Sequence, residues 1–245
     1  MKRRMVVLTG WSVGKFPWKT LLSLLNKHFE IIFVDWENVF SVDGFKKKVF
    51  SLLSEKKLEK FSLMGWSLGS ITAMDIAAHF PEKIENLILI SGTLRFVKDE
   101  KKLYSTLWTK ETIDKMIYML KIDKDKILNK FYKNLFSKSE KSAGHYKRFI
   151  SEVQCTKADY SVNSLLNGLE YLKVMDLRNI SPDISPLLIH GCEDVICPYE
   201  SGEYINKKFK NSNLVKLQGC GHIPFYTDPD TCYEIIEKHI EVESL

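Results

Sequence analysis

Short apolar runs of strand length alternate along this chain with longer segments of helical period, and this alternation constrains the fold more than any other feature. The runs predict six strands, at residues 5–8, 31–35, 61–65, 86–91, 187–191 and 214–218. The segments between and after them predict five helices, at residues 16–29, 43–58, 68–80, 199–209 and 230–240. Strands and helices in this order predict an α/β fold with a mostly parallel sheet of about six strands and helices on both faces.

The alternation stops between residues 93 and 183. Apolar side chains recur in the middle of this interval at spacings of three and four: Trp108, Ile113, Met116, Ile117, Leu120, Ile127, Leu128, Phe131 and Tyr132. Such spacing predicts several amphipathic helices inserted between two strands. We therefore divide the chain into a core, residues 1–95 and 181–245, and a helical cap, residues 96–180, which would roof a pocket at the carboxyl ends of the strands.

Composition excludes several classes of protein. With 44% hydrophobic and 27% charged residues among 245, the chain has the profile of a globular domain rather than a disordered or fibrous one. No apolar run approaches the roughly 20 residues that cross a bilayer, and the run after the basic start is too short for a signal peptide. The five cysteines are scattered and form no C-x-x-C pair, which predicts neither disulfides nor a metal site. We expect a cytoplasmic protein without a membrane partner, and a monomer.

The segment Gly65-Trp66-Ser67-Leu68-Gly69 lies between a predicted strand and a predicted helix. It is a G-x-S-x-G pattern in the strand–turn–helix context where the turn is too tight for side chains at the two glycines. The serine hydroxyl then projects above the sheet edge, beside the N–H groups and the positive dipole end of the helix. Ser67 is therefore the predicted nucleophile.

A serine hydroxyl is a poor nucleophile at neutral pH, so a base and an orienting acid are required. His222 and Asp194 each follow a predicted strand, in loops at the same end of the sheet as Ser67. We predict His222 as the base and Asp194 as the acid, with the neighbouring Glu193 as the alternative acid. The other histidines, His190 among them, have positions typical of structural residues.

An acyl-transfer site also needs donors that stabilise an oxyanion. One is expected from the backbone N–H of Leu68, directly after the nucleophile. The second is expected from the loop after the first strand, at the N–H of Trp11. Trp11 and Trp66 are also candidates for lining an acyl pocket, although core packing explains two tryptophans equally well.

At this point the chain resembles the α/β-hydrolase superfamily and, within it, the family of pimeloyl-acyl-carrier-protein methyl ester esterases. Residues 79–83, which close the nucleophile helix, and residues 166–178, which join cap to core, carry the resemblance beyond the triad. The resemblance implies a serine carboxylesterase without cofactor or metal. It would hydrolyse the methyl ester of a pimeloyl chain on acyl carrier protein, releasing methanol, in biotin biosynthesis.

The resemblance also gives the basic part of the chain a partner. Residues 101–173 contain 15 Lys or Arg against 8 Asp or Glu, so this segment carries all of the positive excess. By resemblance, Phe131 would contact the acyl chain, with Tyr132 beside it in the pocket. Five basic residues would meet the acidic carrier protein: Lys126, Lys130, Lys141, Lys147 and Arg148.

Other interpretations remain open at this stage. The same triad suits a general short-acyl carboxylesterase or a thioesterase, in which the basic cap is only a solvated surface. A non-catalytic ligand-binding protein on the same scaffold is a more remote alternative. Nucleic-acid binding by the basic segment has no recognised motif to support it.

Overall fold

The computed structural model of the chain describes residues 2–98, 108–156 and 160–242. Within these ranges the strands are β1 Arg3–Leu8, β2 Phe29–Val34, β3 Phe61–Trp66, β4 Ile84–Ile90, β5 Leu187–Gly191 and β6 Asn213–Leu217. They form one parallel sheet in the order β2-β1-β3-β4-β5-β6. The predicted sheet of about six strands is confirmed, and each predicted strand end lies within two residues of the observed one.

The helices of the sheet-forming part are α1 Lys19–Leu25, α2 Gly44–Glu55, α3 Leu68–His79, α9 Tyr199–Lys208, α10 Pro224–Thr227 and α11 Pro229–Val242. Helix α1 packs against α11, and α2 packs against α3. The strand order reverses direction between β1 and β3, which places α1 and α2 on opposite faces of the sheet when the crossovers are right-handed. Across the described residues, no helix has the length and apolar character that crossing a membrane requires.

The predicted helix over residues 16–29 is wrong at its C-terminal end. A short 3₁₀ turn, Phe16–Trp18, precedes α1, and α1 ends at Leu25. Phe29 fits the helical period of this segment, but it begins β2 and pairs with Arg3 of β1. Burial of Phe29 against the sheet therefore outweighs the local helical pattern.

Burial follows the position of each strand in the sheet. All six residues of the central strand β3 are buried, whereas the edge strand β6 has only one buried residue. A strand that is covered on both faces needs an apolar run, and this is why β3 lacks the alternation of a half-exposed strand. The buried amide of Asn86 on β4 donates to the Ser62 hydroxyl of β3 at 2.8 Å, so both polar groups are satisfied.

The spacing of apolar residues predicts several helices between β4 and β5, and the described residues of this interval form five: α4 Lys110–Ile122, α5 Lys124–Asn134, α6 Lys138–Ser142, α7 His145–Thr156 and α8 Val162–Val174. We call residues 96–180 the inserted segment. Its residues 99–107 and 157–159 lie outside the part of the chain that the structure describes.

An ionic clasp joins the two ends of the inserted segment. Asp176 pairs with Arg95, and it accepts two further hydrogen bonds from the Arg178 guanidinium, at 2.8 and 2.7 Å. The backbone N–H of Leu177 donates to Leu94 O at 2.8 Å beside this cluster. Hydrogen bonds from Arg178 and Arg95 hold the pKa of the Asp176 carboxyl well below its ordinary value.

We expect Asp176→Asn to lower the free energy of unfolding by about 1 kcal/mol at neutral pH, since the cluster is partly exposed and screened by solvent. Because the pKa of the Asp176 carboxyl is depressed in the folded protein, the clasp stabilises the fold above about pH 4, where the carboxyl of the unfolded chain is ionised. This stabilisation is lost on acidification. Denaturant unfolding at pH 7 and pH 3 measures both effects. Asp114→Asn, which removes an exposed ion pair with Lys173, is the control and should change stability little. Equal losses in the two variants would contradict the role of the clasp.

Candidate active site

The turn between β3 and α3 holds Ser67 in a strained backbone conformation. Its φ of 56° and ψ of −119° lie outside the regions that non-glycine residues ordinarily occupy. A Cβ atom at Gly65 would lie 2.3 Å from Gly69 O, and one at Gly69 would lie 2.2 Å from Leu8 O. Both flanking positions therefore require glycine, because backbone of β1, β3 and α3 converges there.

The predicted nucleophile, base and acid meet in one chain of hydrogen bonds. His222 Nε2 lies 2.8 Å from Ser67 Oγ, and His222 Nδ1 lies 2.7 Å from Asp194 Oδ2. The side chains of His222 and Asp194 are fully buried, and Ser67 is 5% exposed. Glu193, the alternative acid, is exposed and lies outside this chain of hydrogen bonds. This geometry can generate a serine nucleophile through a neighbouring base.

The surroundings of Asp194 keep it ionised. Its Oδ1 accepts hydrogen bonds from the backbone N–H groups of Ile196 at 2.8 Å and Cys197 at 2.9 Å. Burial opposes ionisation, but the facing imidazoles of His222 and His190 hold the pKa of Asp194 below its ordinary value. An ionised acid accepts the Nδ1 proton of His222, which leaves Nε2 as the acceptor for the serine proton.

His190 lies near the site, although its place in the sequence predicts a structural role and not a catalytic one. It is 1% exposed, and its Nε2 lies 2.7 Å from Cys197 O and 3.5 Å from Asp194 Oδ2. A ring nitrogen this close to a carbonyl oxygen carries the proton, so Nε2 is the donor. The signal in the sequence was its place at the end of β5, four residues before Asp194.

The two tryptophans of the predicted pocket have different positions. Trp66 is fully buried, and its indole N–H donates to His222 O at 2.7 Å. Trp66 therefore holds the backbone of the predicted base in place. Trp11 contacts the inserted segment instead: its indole N–H donates to Leu165 O at 2.9 Å, and its ring meets Phe131 edge-on at 4.8 Å. The structure thus gives Trp66 a packing role and puts Trp11 between sheet and insertion.

The predicted oxyanion donors follow neighbouring strands. β1 and β3 are paired with Leu8 opposite Gly65, and Trp11 and Leu68 each come three residues after this pair. Leu68 is the first residue of α3, where backbone N–H groups have no partner within the helix. Their role as oxyanion donors stays a prediction.

Helices of the inserted segment line a half-open cavity that includes Phe131, which contacts Trp11, and Val195, which follows Asp194. A cavity of about 570 Å³ lies between α4, α5 and the loop that carries Val195. Its walls are mostly apolar, with lysines beside them: Trp108, Thr112, Lys115, Met116, Met119, Ile127, Lys130, Phe131, Asn134 and Val195. Tyr132 points the other way, where its hydroxyl donates to Ser12 O at 3.0 Å and burial raises its pKa to about 12.

The five basic residues that the resemblance assigns to carrier-protein contact differ in availability. Lys126 and Lys130 on α5 are exposed, as is Lys147 on α7. Lys141 is half-buried, and desolvation together with the charge of Lys133 lowers its pKa. The fifth residue is Arg148, whose guanidinium donates to the hydroxyl oxygen of Tyr226 at 2.9 Å and lies 4.5 Å from its ring. Arg148 is therefore engaged within the protein.

Within the described ranges, no group of three His, Cys, Asp or Glu side chains is arranged to hold a metal ion. All five cysteines are free thiols. The thiols of Cys197 and Cys232 are buried, and burial raises the pKa of each. These two cysteines are therefore packed as neutral side chains in the core.

Relatives with known names align with nearly the full length of the chain. A relative from Wigglesworthia glossinidia brevipalpis, named pimeloyl-acyl-carrier-protein methyl ester esterase, is 28% identical over 97% of this chain and 93% of its own length. One of the same name from Nitrosomonas europaea is 25% identical over 95% of this chain and 94% of its own length.

Solved structures agree on the fold. An esterase from Exiguobacterium antarcticum superposes with a TM-score of 0.86 at 21% identity, covering 98% of this chain and 92% of that one. A bromoperoxidase from Bacillus anthracis has a TM-score of 0.87 at 19% identity and the same coverage. Residues 4–229 match the family described as the alpha/beta hydrolase fold, and the chain therefore belongs to that family.

Proposed function

We propose that this protein is a serine carboxylesterase that hydrolyses the methyl ester of a pimeloyl chain carried on acyl carrier protein, a reaction of biotin biosynthesis. The observation that carries the proposal is the buried chain of hydrogen bonds from Ser67 through His222 to Asp194. The choice of substrate is supported by full-length relatives named for that reaction. In this proposal the protein acts as a monomer in the cytoplasm.

The first half-reaction transfers the acyl group to the enzyme. Ser67 Oγ attacks the ester carbonyl carbon while His222 Nε2 takes the hydroxyl proton, and Asp194 stabilises the resulting imidazolium. The N–H groups of Trp11 and Leu68 donate to the oxyanion of the tetrahedral intermediate. When this intermediate collapses, the bond to the methoxy oxygen breaks, His222 returns the proton to it, and methanol leaves.

The second half-reaction restores the serine. A water molecule attacks the carbonyl carbon of the acyl-enzyme while His222 Nε2 accepts its proton. Collapse of the second tetrahedral intermediate breaks the bond to Ser67 Oγ, which regains a proton from His222. The product is a pimeloyl chain with a free terminal carboxylate, still attached to the carrier protein.

In this proposal the inserted segment is the cap that receives the carrier-bound chain. Phe131 touches the ring of Trp11 and also lines the cavity of about 570 Å³, so one aromatic side chain connects the loop of the proposed oxyanion donor with that cavity. Lys130 lies at the same cavity and Lys126 one turn earlier on α5, both exposed. Exposed cations beside an apolar opening suit an acidic protein that delivers an apolar chain.

We expect the wild-type protein to release methanol from pimeloyl-acyl-carrier-protein methyl ester, and Ser67→Ala to lower kcat at least about a thousandfold. Thr93→Ala, a buried hydroxyl outside the triad, is the control for loss of a hydroxyl and should keep its activity. Methanol and the free acid are quantified in parallel. Cleavage of soluble aryl esters through Ser67 without methanol release would retain the esterase and exclude the carrier-bound substrate.

Activity should fall as the pH drops from about 8 to about 5, because a protonated His222 cannot accept the serine proton. Asp194 does not contribute to this fall, since its depressed pKa keeps it ionised over the whole range. The profile of kcat/KM against pH, measured with a neutral aryl ester, isolates the enzyme's own titration. A flat profile over this interval would argue against His222 as the base.

We expect Lys126→Glu combined with Lys130→Glu to raise KM for the carrier-bound ester about tenfold at low salt. Each reversed charge should cost roughly 0.7 kcal/mol of binding free energy, and the two costs together correspond to a factor of about ten. KM for a small aryl ester should stay unchanged, because that substrate makes no carrier-protein contact. Lys47→Glu combined with Lys210→Glu reverses two exposed charges outside the inserted segment and is the matched control. Raising the salt concentration should weaken wild-type binding and reduce the difference between variants. An unchanged KM would leave the basic surface without a role in docking.

A further inference from the structure

A buried carboxylate of the inserted segment lies directly behind the base. Glu140, on α6, is 6% exposed and forms a capping box with Ser137, in which Glu140 Oε2 accepts the backbone N–H of Ser137 at 2.7 Å. The same oxygen accepts the N–H of Gly221, the residue before His222, at 3.0 Å. Glu140 Oε1 accepts the hydroxyl of Thr227 at 2.7 Å. Three donors, two of them outside the inserted segment, thus satisfy one carboxylate.

The turn between α5 and α6 binds the loop of the base at further points. Leu135 O accepts the backbone N–H of His222 at 2.8 Å. The hydroxyls of Ser137 and Ser139 both donate to Gly219 O, at 2.6 and 2.9 Å. A Cβ atom at Gly221 would lie 2.6 Å from Leu135 O, so the two backbones are in direct contact.

His222 is consequently held from two sides. The indole of Trp66, from the sheet, donates to His222 O, and Leu135 O, from the inserted segment, accepts the His222 N–H. Glu140 fixes the peptide unit that immediately precedes this pair. A carboxyl group is costly to bury without hydrogen bonds, and two of the three donors that satisfy Glu140, Gly221 and Thr227, lie on either side of His222 in the sequence, so Glu140 and this stretch hold each other in place.

We propose that Glu140 is a positioning residue for His222: its carboxylate ties the loop of the base to the inserted segment and keeps the imidazole in reach of Ser67. This inference rests on the proposed function, since a position matters for catalysis only if His222 is the base. It makes the inserted segment part of the catalytic apparatus as well as a cover over the substrate. Opening of that segment would then have to occur away from the turn between α5 and α6.

Glu140→Ala tests the proposal with a small aryl ester as substrate. We expect kcat to fall about ten- to a hundredfold with KM nearly unchanged, because the base is displaced while the pocket stays intact. Asp123→Ala removes an acidic N-cap of α5, whose side chain accepts the Lys126 N–H at 3.0 Å, and has no hydrogen bond to the base loop among those of the described residues. This control should keep wild-type kcat, although it too destabilises the inserted segment.

Glu140→Gln is the rescuing variant. Its amide oxygen can accept the N–H groups of Ser137 and Gly221, and its amide nitrogen can donate to the Thr227 hydroxyl, which turns its own proton toward Ile223 O. We therefore expect kcat close to that of the wild type. If the alanine variant does not fold, Glu140→Asp replaces it, since that side chain keeps the charge but is too short to reach Gly221.

A spectroscopic readout separates this inference from the proposed function. The proton between His222 Nδ1 and Asp194 gives a downfield proton resonance that reports the position of the ring whether or not an ester is hydrolysed. We expect the resonance to shift or broaden in the alanine or aspartate variant and to return in Glu140→Gln. Wild-type kcat and an unchanged resonance in the alanine or aspartate variant would overturn the proposal. So would an equal loss of kcat in Asp123→Ala, or a glutamine variant as impaired as the alanine one.

Discussion

Every functional side chain of this protein depends on the parallel pairing of the strands, because parallel strands bring their carboxyl ends to one edge of the sheet. The proposed nucleophile follows β3, the proposed acid follows β5 and the proposed base follows β6. The loop after β1 reaches the same edge beside the nucleophile. The strand order reverses between β1 and β3, which is the place in an open parallel sheet where ligands generally bind, and Ser67 lies there. Because α3 packs against the sheet, the backbone of Gly69 comes close to the backbone of Leu8.

The inserted segment contacts the loops that carry the site residues. It contacts Trp11 through Leu165 and Phe131, and it contacts the loop of the base through Leu135 and Glu140. Both contacts join the insertion to loops that carry site residues. The ionic clasp at Asp176 closes the opposite end, where the chain leaves and re-enters the sheet. The insertion is thus attached to the sheet-forming part at several places among the described residues, which include the contacts of Tyr132 with Ser12 and of Arg148 with Tyr226.

Charge in this protein serves two different purposes. The buried acidic side chains, Asp194 and Glu140, accept hydrogen bonds from backbone and hydroxyl donors and hold the loops of the site in place. Among the described residues, the exposed side chains of Lys126 and Lys130 on α5 have no hydrogen bond or ion pair, and in the proposed function they face the carrier protein. Arg148 is exposed, yet its guanidinium is held within the protein by Tyr226. Sequence charge alone does not separate these cases.

The sequence by itself determined the strand and helix order, the glycine-flanked nucleophile turn, and the three candidate side chains of the triad. These features are local: a buried central strand must be an apolar run, and the tight turn at Ser67 accepts only glycine at Gly65 and Gly69. What only the tertiary structure decided is which distant residues meet. Phe29 joins the sheet although its segment has a helical period, and Glu140 pairs with Gly221 across 81 positions of sequence. Such pairings follow from packing in three dimensions, and no spacing within one segment encodes them.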